Sequence, residues 1–389
     1  MGVSEATWLF GVILAFAAIT PPTLHYLKAK TFAARLQLPE DPPNPPELTV
    51  VLPVRNESTV IRDKLDEIMG MDYPLSRVSI LVVDSASTDR TGPIAREHLE
   101  KIAGEVSWNI ENVERLGKSV AVNMALDVIE TELFVMMDAD AILRPGSLRL
   151  LARWFQDPRI GAVCGQLNSP EESPGHPYRS RFNILRVGES VNDSTPIFEG
   201  SICAFRMSSI GHSRIDSGNN ADDSQLAMLV RRNGFRAIMD PEIKFFEPNS
   251  EKSTGKRSRR VRRAQGLSRA FWANRDLRSK RYGAYASIFS SQLYFHLIFP
   301  WLFSVSVVII FLPFFCGLLE FPENGWHTVL FPGAILVTGL ASKTCRGILD
   351  GSLVLVQSHL LLLTGRRLHI WEPDAEMRLA ILRYRRESG

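Results

Sequence analysis

The sequence predicts an α/β protein in which a mostly parallel sheet holds a ligand site and apolar helices attach the chain to a membrane. Three observations support this prediction. Short, uninterrupted apolar runs alternate with helical patterns between residues 48 and 137, which is typical of parallel strands covered on both faces. Carboxylates follow the ends of these runs, where parallel sheets bind ligands. Long uncharged stretches, at 6–27 and beyond residue 282, are able to cross a bilayer.

The strands and helices of the sheet region follow from hydrophobic period and length. Strands are expected at 48–52, 78–83 and 133–137, and helices at 59–69, 91–103 and 118–129. The proline-rich stretch 39–46 is unable to form a helix or a central strand, so it predicts a stiff linker. A chain of 389 residues exceeds what one core usually serves, which leaves room for a separate membrane part.

The membrane part begins with the apolar stretch 6–27, which three basic residues follow. Positive charge on this side predicts that the chain continues in the cytosol. A cleaved signal peptide fits less well because a basic start and a small-residue cleavage site are missing. The zone 282–319 is too long for one straight span, so its first part is expected to be interfacial and the part from residue 297 transmembrane.

Two further segments complete the membrane part. Residues 328–342 are expected to return the chain across the bilayer after an acidic outer segment at 320–327. Residues 347–363 are short and contain Asp350, so a span and a re-entrant or surface-lying helix are both open. The expected organisation is a transmembrane helix at 1–30, a linker at 31–47, a cytosolic α/β domain at 48–281, interfacial and transmembrane helices at 282–365, and a basic cytosolic tail at 366–389.

The distribution of charge says more than the net charge of +3. Between residues 256 and 281 there are eleven Lys or Arg residues and one acid, directly before the apolar C-terminal zone. This segment predicts contact with anionic lipid headgroups or phosphates. Nucleic acid is not an expected partner because few aromatic residues are available for base stacking. The four cysteines lie far apart without metal-ligand spacing, so they are expected to be reduced thiols or core residues.

Two aspartates end the apolar run 133–137. Side chains on a strand alternate faces, so Asp138 and Asp140 point the same way where the strand leaves the core. Hard cations such as Mg²⁺ or Mn²⁺ bind carboxylates and keep positions open for phosphates. The pair therefore predicts a metal and diphosphate site, and a solvated strand end is the structural alternative.

The order of motifs over roughly 49–266 resembles the family-2 glycosyltransferases, which have the GT-A fold and use nucleotide-diphosphate sugars. The segment 50–57 looks like the start of the family's donor site and assigns donor binding to Pro53, Arg55 and Glu57. The segment 82–91 looks like the family's Val-Asp-Asp-Gly-Ser-Thr-Asp-x-Thr motif, with Asp84 retained to contact the base. Ser85 and Ala86 replace the usual Asp-Gly, and the loss of the second acid bears on the choice of nucleotide.

The resemblance assigns the remaining parts of a transfer site. Gly117-Lys118-Ser119 matches a segment whose lysine holds the nucleotide, and a solvated helix start is the alternative for Lys118. Asp138 would lie nearer the ribose and Asp140 would be the metal ligand. In the Asp222-Asp223 pair, which precedes an apolar helical stripe, Asp223 would be the general base. Capping of that helix explains one of the two acids but not both.

Two further segments complete the resemblance. Residues 197–201, with Glu199 and Gly200, look like the family's acceptor side, and a buried strand with a bulge is the alternative. The segment 259–266 aligns with the Gln-Arg-x-Arg-Trp motif of processive polysaccharide synthases, but Arg259 replaces its Gln and Arg263 replaces its Trp. Without the tryptophan that stacks on the acceptor sugar, a growing polymer is not expected. The arginines, including Arg262, suit a diphosphate.

The resemblance implies an inverting transfer, dependent on Mg²⁺ or Mn²⁺, from a nucleotide-diphosphate sugar to a lipid or lipid-linked saccharide. The expected enzyme is an integral membrane protein with a cytosolic catalytic domain, and homo-oligomerisation is left open. A processive polysaccharide synthase related to the cellulose, chitin and hyaluronan enzymes is the first alternative. A catalytically silent scaffold that binds phospholipid through the basic segment 256–281 is the second.

Overall fold

A computed structural model describes residues 3–168, 176–247, 253–319, 341–368 and 375–388 of the chain. The strands are β1 (Leu48–Val54), β2 (Val78–Ser85), β3 (Ser107–Val113), β4 (Leu133–Met137), β5 (Ile142–Leu143), β6 (Ile160–Leu167), β7 (Ile202–Arg206) and β8 (Arg236–Phe246). The helices are α1 (Val3–Ala33), α2 (Ile61–Met69), α3 (Thr91–Ile102), α4 (Lys118–Val128), α5 (Ser147–Ala152), α6 (His176–Asn192), α7 (Met207–Ile210), α8 (Asp222–Arg232), α9 (Ser253–Ala273), α10 (Ala284–Leu293), α11 (Phe299–Leu319), α12 (Lys343–Leu363) and α13 (Ala375–Ser388).

The strands form one mixed sheet in the order β3-β2-β1-β4-β7-β6-β8-β5. β1 lies parallel to β2 and β4, and β2 lies parallel to β3, so the predicted α/β sheet is confirmed. β7 runs antiparallel to both β4 and β6. Since β2, β1 and β4 are parallel neighbours, their carboxyl ends and the acids that follow them meet at one edge of the sheet.

Side chains of the central strands alternate between two cores. Val50, Leu52 and Val54 of β1 point into one core with α2 and α3, and Val51 points into the other with α4 and α8. Burial on both faces explains why these strands are uninterrupted apolar runs in the sequence. β3 differs because it lies at the sheet edge and most of its side chains are partly or fully exposed, and its polar sequence predicts no strand.

Within the described part of the chain, three helices are long and apolar enough to cross a membrane, by length and composition: Ala6–Ala33, Ala284–Leu312 and Cys345–Leu363. The second includes α10 and the part of α11 up to Leu312, and a π-helical turn at Tyr294–Ile298 joins these two helices. The predicted outer segment at 320–327, and the returning span at 328–342 except for its last two residues, lie outside the described part of the chain.

The first half of this long helix packs on the α/β domain. Tyr285 and Phe289 of α10 are fully buried in a cluster that also contains Ile197, Met228 of α8 and Phe271 of α9. α10 therefore extends the core of the domain, beyond the expected domain end at residue 281.

A buried carboxylate ties α1 and α10 to α6. Glu189 of α6 is almost fully buried, and its Oε1 lies 2.7 Å from Nε2 of His25 and accepts a 2.6 Å hydrogen bond from Gln292. Beside it, a Cβ atom on Gly188 would overlap the carbonyl group of Ala29. α1 and α6 are thus in backbone contact.

We expect Gly188→Ala to destabilise the protein by about 1–3 kcal/mol, the usual cost of overpacking. The added methyl group meets backbone of α1, which is unable to move aside as a side chain does. Thermal unfolding in detergent would measure the loss. Gly146→Ala is the matched control, because a Cβ at Gly146 meets nothing within 4 Å and its φ is −76°. Equal melting temperatures for the two variants would contradict this expectation.

Candidate active site

The loops after β1 and β2 are bonded to each other. Asn56 and Ala86 each adopt a positive φ of 53°, which is uncommon for residues with a Cβ. The Asn56 amide donates to Oγ of Ser87 at 2.9 Å, and its Oδ1 accepts from the amide of Thr88 at 2.7 Å. These bonds hold both turns in a single conformation, which also keeps Ala86 where a glycine is usual in the family's motif.

Asp84, the residue predicted to contact the nucleotide base, lies at the same edge of the sheet as these loops. Asp84 is the second-last residue of β2 and is almost fully buried, and its Oδ1 accepts a hydrogen bond from the amide of Ser87 at 3.0 Å. The next residue, Ser85, accepts the Gly117 amide at its Oγ at 3.1 Å. Ser85 therefore links the β2 loop to the start of α4, where Lys118 follows.

Lys118 connects the two acidic motifs. Its Nζ lies 2.7 Å from Oδ1 of Asp138, after β4, and 3.3 Å from Oδ2 of Asp222, at the start of α8. Burial alone would lower the pKa of Lys118, but the charges of Asp138, Asp222 and Asp223 outweigh it and raise the pKa well above its usual value. Lys118 stays protonated and is not the solvated helix start that its sequence position also allowed.

Asp140 lies among acids. Burial, and then the charges of Asp138, Glu247 and Glu57, raise the pKa of Asp140 to about 7, and Arg263 only partly opposes them. Among the described residues, no three His, Cys, Asp or Glu side chains form a complete metal cage. An open site of one or two carboxylates is nevertheless what Mg²⁺ or Mn²⁺ takes when phosphates supply the other ligands. The excess negative charge at Asp140 fits such a cation.

Asp223 lies beside Lys118 in the first turn of α8. Burial and the neighbouring charge of Asp222 raise the pKa of Asp223 to about 7, against the opposing charge of Lys118. A Cβ on Gly200 would lie 3.1 Å from both Oδ2 of Asp223 and Nζ of Lys118. Gly200 therefore lies against the predicted base, where any larger side chain would press on Asp223 and Lys118.

Glu199 and Gly200 belong to a buried loop before β7, so the alternative of a buried strand is wrong at these positions. Glu199 is ion-paired with Arg186 and, at 3.2 Å, with Arg179 of α6. Burial would raise the pKa of Glu199, but the two arginines lower it to about 2. Its carboxylate is held by α6, so it shapes the loop that carries Gly200.

α9 covers the loop that precedes α8. Asn220 donates from Nδ2 to the carbonyl oxygen of Arg262 at 3.1 Å, and a Cβ on Gly266 would overlap the Asn220 side chain. Arg263 is about half exposed and lies 3.8 Å from Oε2 of Glu247. Through these contacts α9 carries the predicted diphosphate residues, Arg259, Arg262 and Arg263, along the acidic edge.

Sequence reasoning missed four residues behind this edge: Lys64, Glu67, Arg378 and Arg385. Lys64 is fully buried and donates to the carbonyl oxygen of Ala141, next to Asp140. Arg378 forms a two-bond ion pair with Glu57, at 2.7 and 2.5 Å. Lys64 was the available signal in the sequence, because it falls on the apolar face of α2. A charge on a buried face requires a partner, so this lysine indicates an ion pair.

The arrangement brings the predicted cation site and the predicted base to the two sides of one lysine, Lys118. Asp138 and Asp140 suit a metal-bound diphosphate, and Asp223 suits removal of a proton from a hydroxyl group. A mostly parallel sheet with acids at these strand ends agrees with the GT-A fold that the sequence resemblance implies.

Comparison with known proteins identifies the family. Residues 49–235 match the family described as glycosyl transferase family 2, so this part of the chain is a glycosyltransferase family 2 domain. Among solved structures, the mannosyltransferase PcManGT from Pyrobaculum calidifontis, in complex with GDP-Man and Mn²⁺, superposes with a TM-score of 0.79 and 29% identity. That match covers 94% of this chain and 100% of the other.

Curated relatives include glycolipid and polysaccharide synthases. The probable glycosyltransferase YdaM of Bacillus subtilis is 32% identical over 31% of this chain and 29% of its own length. The β-monoglucosyldiacylglycerol synthase of Synechocystis sp. is 28% identical over 40% and 34%. The poly-β-1,6-N-acetyl-D-glucosamine synthase of Staphylococcus epidermidis is 23% identical over 72% and 68%. The chain spans about a third of the length of YdaM and of the Synechocystis synthase.

We expect Gly200→Ala to lower turnover about tenfold with little change in melting temperature. The new methyl group would lie 3.1 Å from Asp223 and Lys118. The flexible Lys118 side chain is able to move aside, so the melting temperature should change little. The predicted acceptor loses space beside Asp223, so transfer should slow. Steady-state transfer assays at several acceptor concentrations would show slower transfer, with the largest loss at low acceptor concentration. Gly146→Ala, whose added Cβ meets nothing within 4 Å, should behave as the wild type, and a Gly200→Ala enzyme with wild-type kinetics would contradict the prediction.

Proposed function

We propose that this chain is a membrane-bound inverting glycosyltransferase. It would transfer a sugar from a nucleotide-diphosphate sugar to a lipid or lipid-linked saccharide at the cytosolic membrane face. The observation that carries the proposal is Lys118, which lies between Asp138 of the predicted cation site and Asp222, the neighbour of the predicted base. Both halves of a single-displacement site are thus in contact through one side chain.

Each half has a separate task in the transfer. Asp140, with Asp138 beside it, would hold Mg²⁺ or Mn²⁺, and a bound divalent cation neutralises the charge of a departing nucleoside diphosphate. Arg259, Arg262 and Arg263 of α9 would bind the phosphates by charge-assisted hydrogen bonds. Pro53, Arg55 and Asp84 would line the nucleotide end.

On the acceptor side, Asp223 would take the proton of the attacking hydroxyl group. Its carboxylate borders the space next to Gly200, and a base with a pKa near 7 is well matched to neutral pH. Attack from the side opposite the diphosphate inverts the configuration of the sugar carbon, because one displacement occurs.

Similarity supports a mannose donor as the first candidate. The PcManGT structure contains GDP-Man and Mn²⁺, and it matches this chain over nearly its whole length. The glycolipid synthase among the curated relatives supports a lipid acceptor. We therefore infer GDP-mannose and Mn²⁺ as the first donor and metal to test.

The surface of α9 and the turns after it supports placement of the site at a bilayer. Trp272 is 62% exposed, and the guanidinium of Arg275 lies 4.9 Å from its ring centroid. Exposed tryptophan beside basic residues is typical of the membrane interface. The basic residues Lys28 and Lys30 in the last turns of α1, and Arg35 after it, support a cytosolic orientation.

α12 supports the surface-lying alternative for residues 347–363. Asp350 pairs with Arg260 and, at 3.6 Å, with Arg257 of α9. Further along, His359 contacts Ser268 at 3.0 Å. An ionised pair is costly in hydrocarbon, and α9 follows directly from the active site, so we propose that both helices lie at the interface.

Binding and transfer assays test the proposal. The purified full chain would be titrated with GDP-mannose, UDP-glucose and UDP-N-acetylglucosamine by calorimetry, with Mn²⁺ or with EDTA. The donor that binds only with Mn²⁺ would then be supplied in radiolabelled form together with extracted lipids. Absence of binding under every condition would refute the enzyme and favour a lipid-binding scaffold.

A processive polysaccharide synthase is the second candidate, since the Staphylococcus epidermidis synthase aligns with 72% of this chain. Arg263 stands where those enzymes have tryptophan, and its guanidinium faces Glu247. Product length on a gel separates the candidates: a single product band supports single transfer, and a ladder supports polymerisation.

A further inference from the structure

The C-terminal helix α13 lies against the donor side of the active site although more than 300 residues separate the two in sequence. Ile381 is fully buried in the core cluster that contains Ile61 and Leu65 of α2. The Tyr384 ring lies 4.8 Å from that of Phe246, at the end of β8. α13 is therefore a packed element of the catalytic domain and not a free basic tail.

Two arginines on the docked face of α13 reach toward the site. Arg378 and Arg385 are seven residues apart, about two helical turns, so both lie on the face that carries Ile381. Arg378 is 8% exposed and makes two hydrogen bonds to the fully buried carboxylate of Glu57. Burial raises the pKa of Glu57, and the hydrogen bonds and charge of Arg378 oppose this shift.

The second arginine acts through α2. Arg385 donates to Oε2 of Glu67 at 2.8 Å, and Oε1 of Glu67 accepts from Nζ of Lys64 at 2.6 Å. Lys64 donates in turn to the carbonyl oxygen of Ala141 at 2.8 Å, and Glu67 also accepts the amide of Leu143 at 3.3 Å. The turn that follows Asp140 is thus held from behind.

The first arginine acts on charge. Glu57 follows β1 and Asp138 follows β4, its parallel neighbour, so the carboxylate of Glu57 adds negative charge at the sheet edge that carries the predicted cation site. A guanidinium on Glu57 offsets that charge and fixes the β1 loop. Partners of this kind, behind metal ligands, typically change metal affinity 10- to 100-fold.

We propose that α13 positions the donor and metal half of the active site, with Arg378 and Arg385 as positioning residues. The proposal rests on the proposed function for the identity of that half. It assigns no contact with substrate to either arginine. α13 acts on the cation site and leaves the acceptor side, built from α6 and α8, unchanged.

The test compares full-length variants in detergent. The double variant Arg378→Met/Arg385→Met is expected to bind Mn²⁺ about tenfold more weakly in the presence of GDP. Electron paramagnetic resonance of Mn²⁺ measures this binding. It should raise the donor KM by a similar factor and leave the acceptor KM unchanged. Arg383→Met, at an exposed position of the same helix, is the matched control. Arg378→Lys should retain part of the Mn²⁺ affinity that Arg378→Met loses, because lysine keeps the positive charge. The recovery should be partial, because an ammonium is unable to reproduce both hydrogen bonds to Glu57.

Two further measurements keep the result decisive. Glu57→Gln/Arg378→Met removes both charges and serves if the first variant unfolds, because no buried charge is left unpaired. Hydrogen exchange of the 139–143 backbone needs no donor, and it should quicken in the double variant relative to Arg383→Met. Unchanged exchange, or equal rises in donor and acceptor KM, would overturn the positioning role. Failure of the wild type to bind Mn²⁺ and GDP would refute the proposed donor and leave the exchange result to decide the inference.

Discussion

Asp223→Asn is expected to lower sugar transfer about a thousandfold, within the usual range for loss of a general base. The asparagine keeps the size of the side chain beside Gly200 but accepts no proton from the acceptor hydroxyl group. Radiolabelled transfer to extracted lipids by the purified enzyme measures the loss. Asp127→Asn, an exposed acid paired with Arg214, is the matched control and should retain full activity.

The pH profile separates this role from a structural one. Since burial and Asp222 raise the pKa of Asp223 to about 7, turnover should rise with pH through about 7, as the base loses its proton. The charged groups that face it are Asp222, Lys118 and Glu199. In Asp223→Asn this rise should vanish, and undiminished transfer by the variant would remove Asp223 from its role.

The stability of the folded wild type should fall with rising pH, whereas turnover rises. A carboxyl whose pKa is raised on folding stabilises the folded state below its unfolded pKa, and that contribution is lost as pH rises through about 7. At pH 8 the wild type holds an ionised, buried Asp223, whereas an asparagine at this position is uncharged. The melting temperature of Asp223→Asn should therefore be higher than that of the wild type at pH 8. A lower melting temperature would instead attribute lost activity to unfolding.

Asp140→Asn is expected to weaken metal-dependent donor binding about 100-fold, with a similar fall in transfer. Asp140 lies among Asp138, Glu57 and Glu247, so a cation at this edge gains from each negative charge, and the amide removes the nearest. Calorimetry with GDP-mannose at several Mn²⁺ concentrations measures the change.

Excess Mn²⁺ provides the internal check on this prediction. A variant with a weakened cation site should recover part of its activity at high Mn²⁺, and EDTA should abolish donor binding by the wild type. Asp72→Asn, an exposed acid paired with Arg149, should show the wild-type metal response. An Asp140→Asn enzyme with that same response would place the cation elsewhere.

Much of the donor side was predictable from sequence because its parts are local. A strand of buried apolar residues must end where polar residues begin, so Asp84 and Asp138 are located by β2 and β4 themselves. Parallel pairing with β1 then brings the two ends to one edge. The same reasoning predicts no β3, whose exposed edge position requires no apolar pattern.

The supporting contacts were not predictable in this way. Glu57 appeared as a donor-binding residue, yet its carboxylate is held by Arg378, 321 positions further along the chain. Glu199 appeared as an acceptor residue, yet Arg186 and Arg179 of α6 hold it. A sequence pattern shows which residues share a face of one element, but an ion pair between elements depends on how those elements dock.

The sequence by itself therefore determined the α/β class, the family and the acidic strand ends, because periodicity and motif order are properties of short segments. Only the tertiary structure decided that Lys118 lies between Asp138 and Asp222, that α10 belongs to the domain core, and that α13 docks behind the donor site. The physical reason is burial. A buried charge is stable only beside a partner, and folding selects that partner from the whole chain rather than from neighbouring residues.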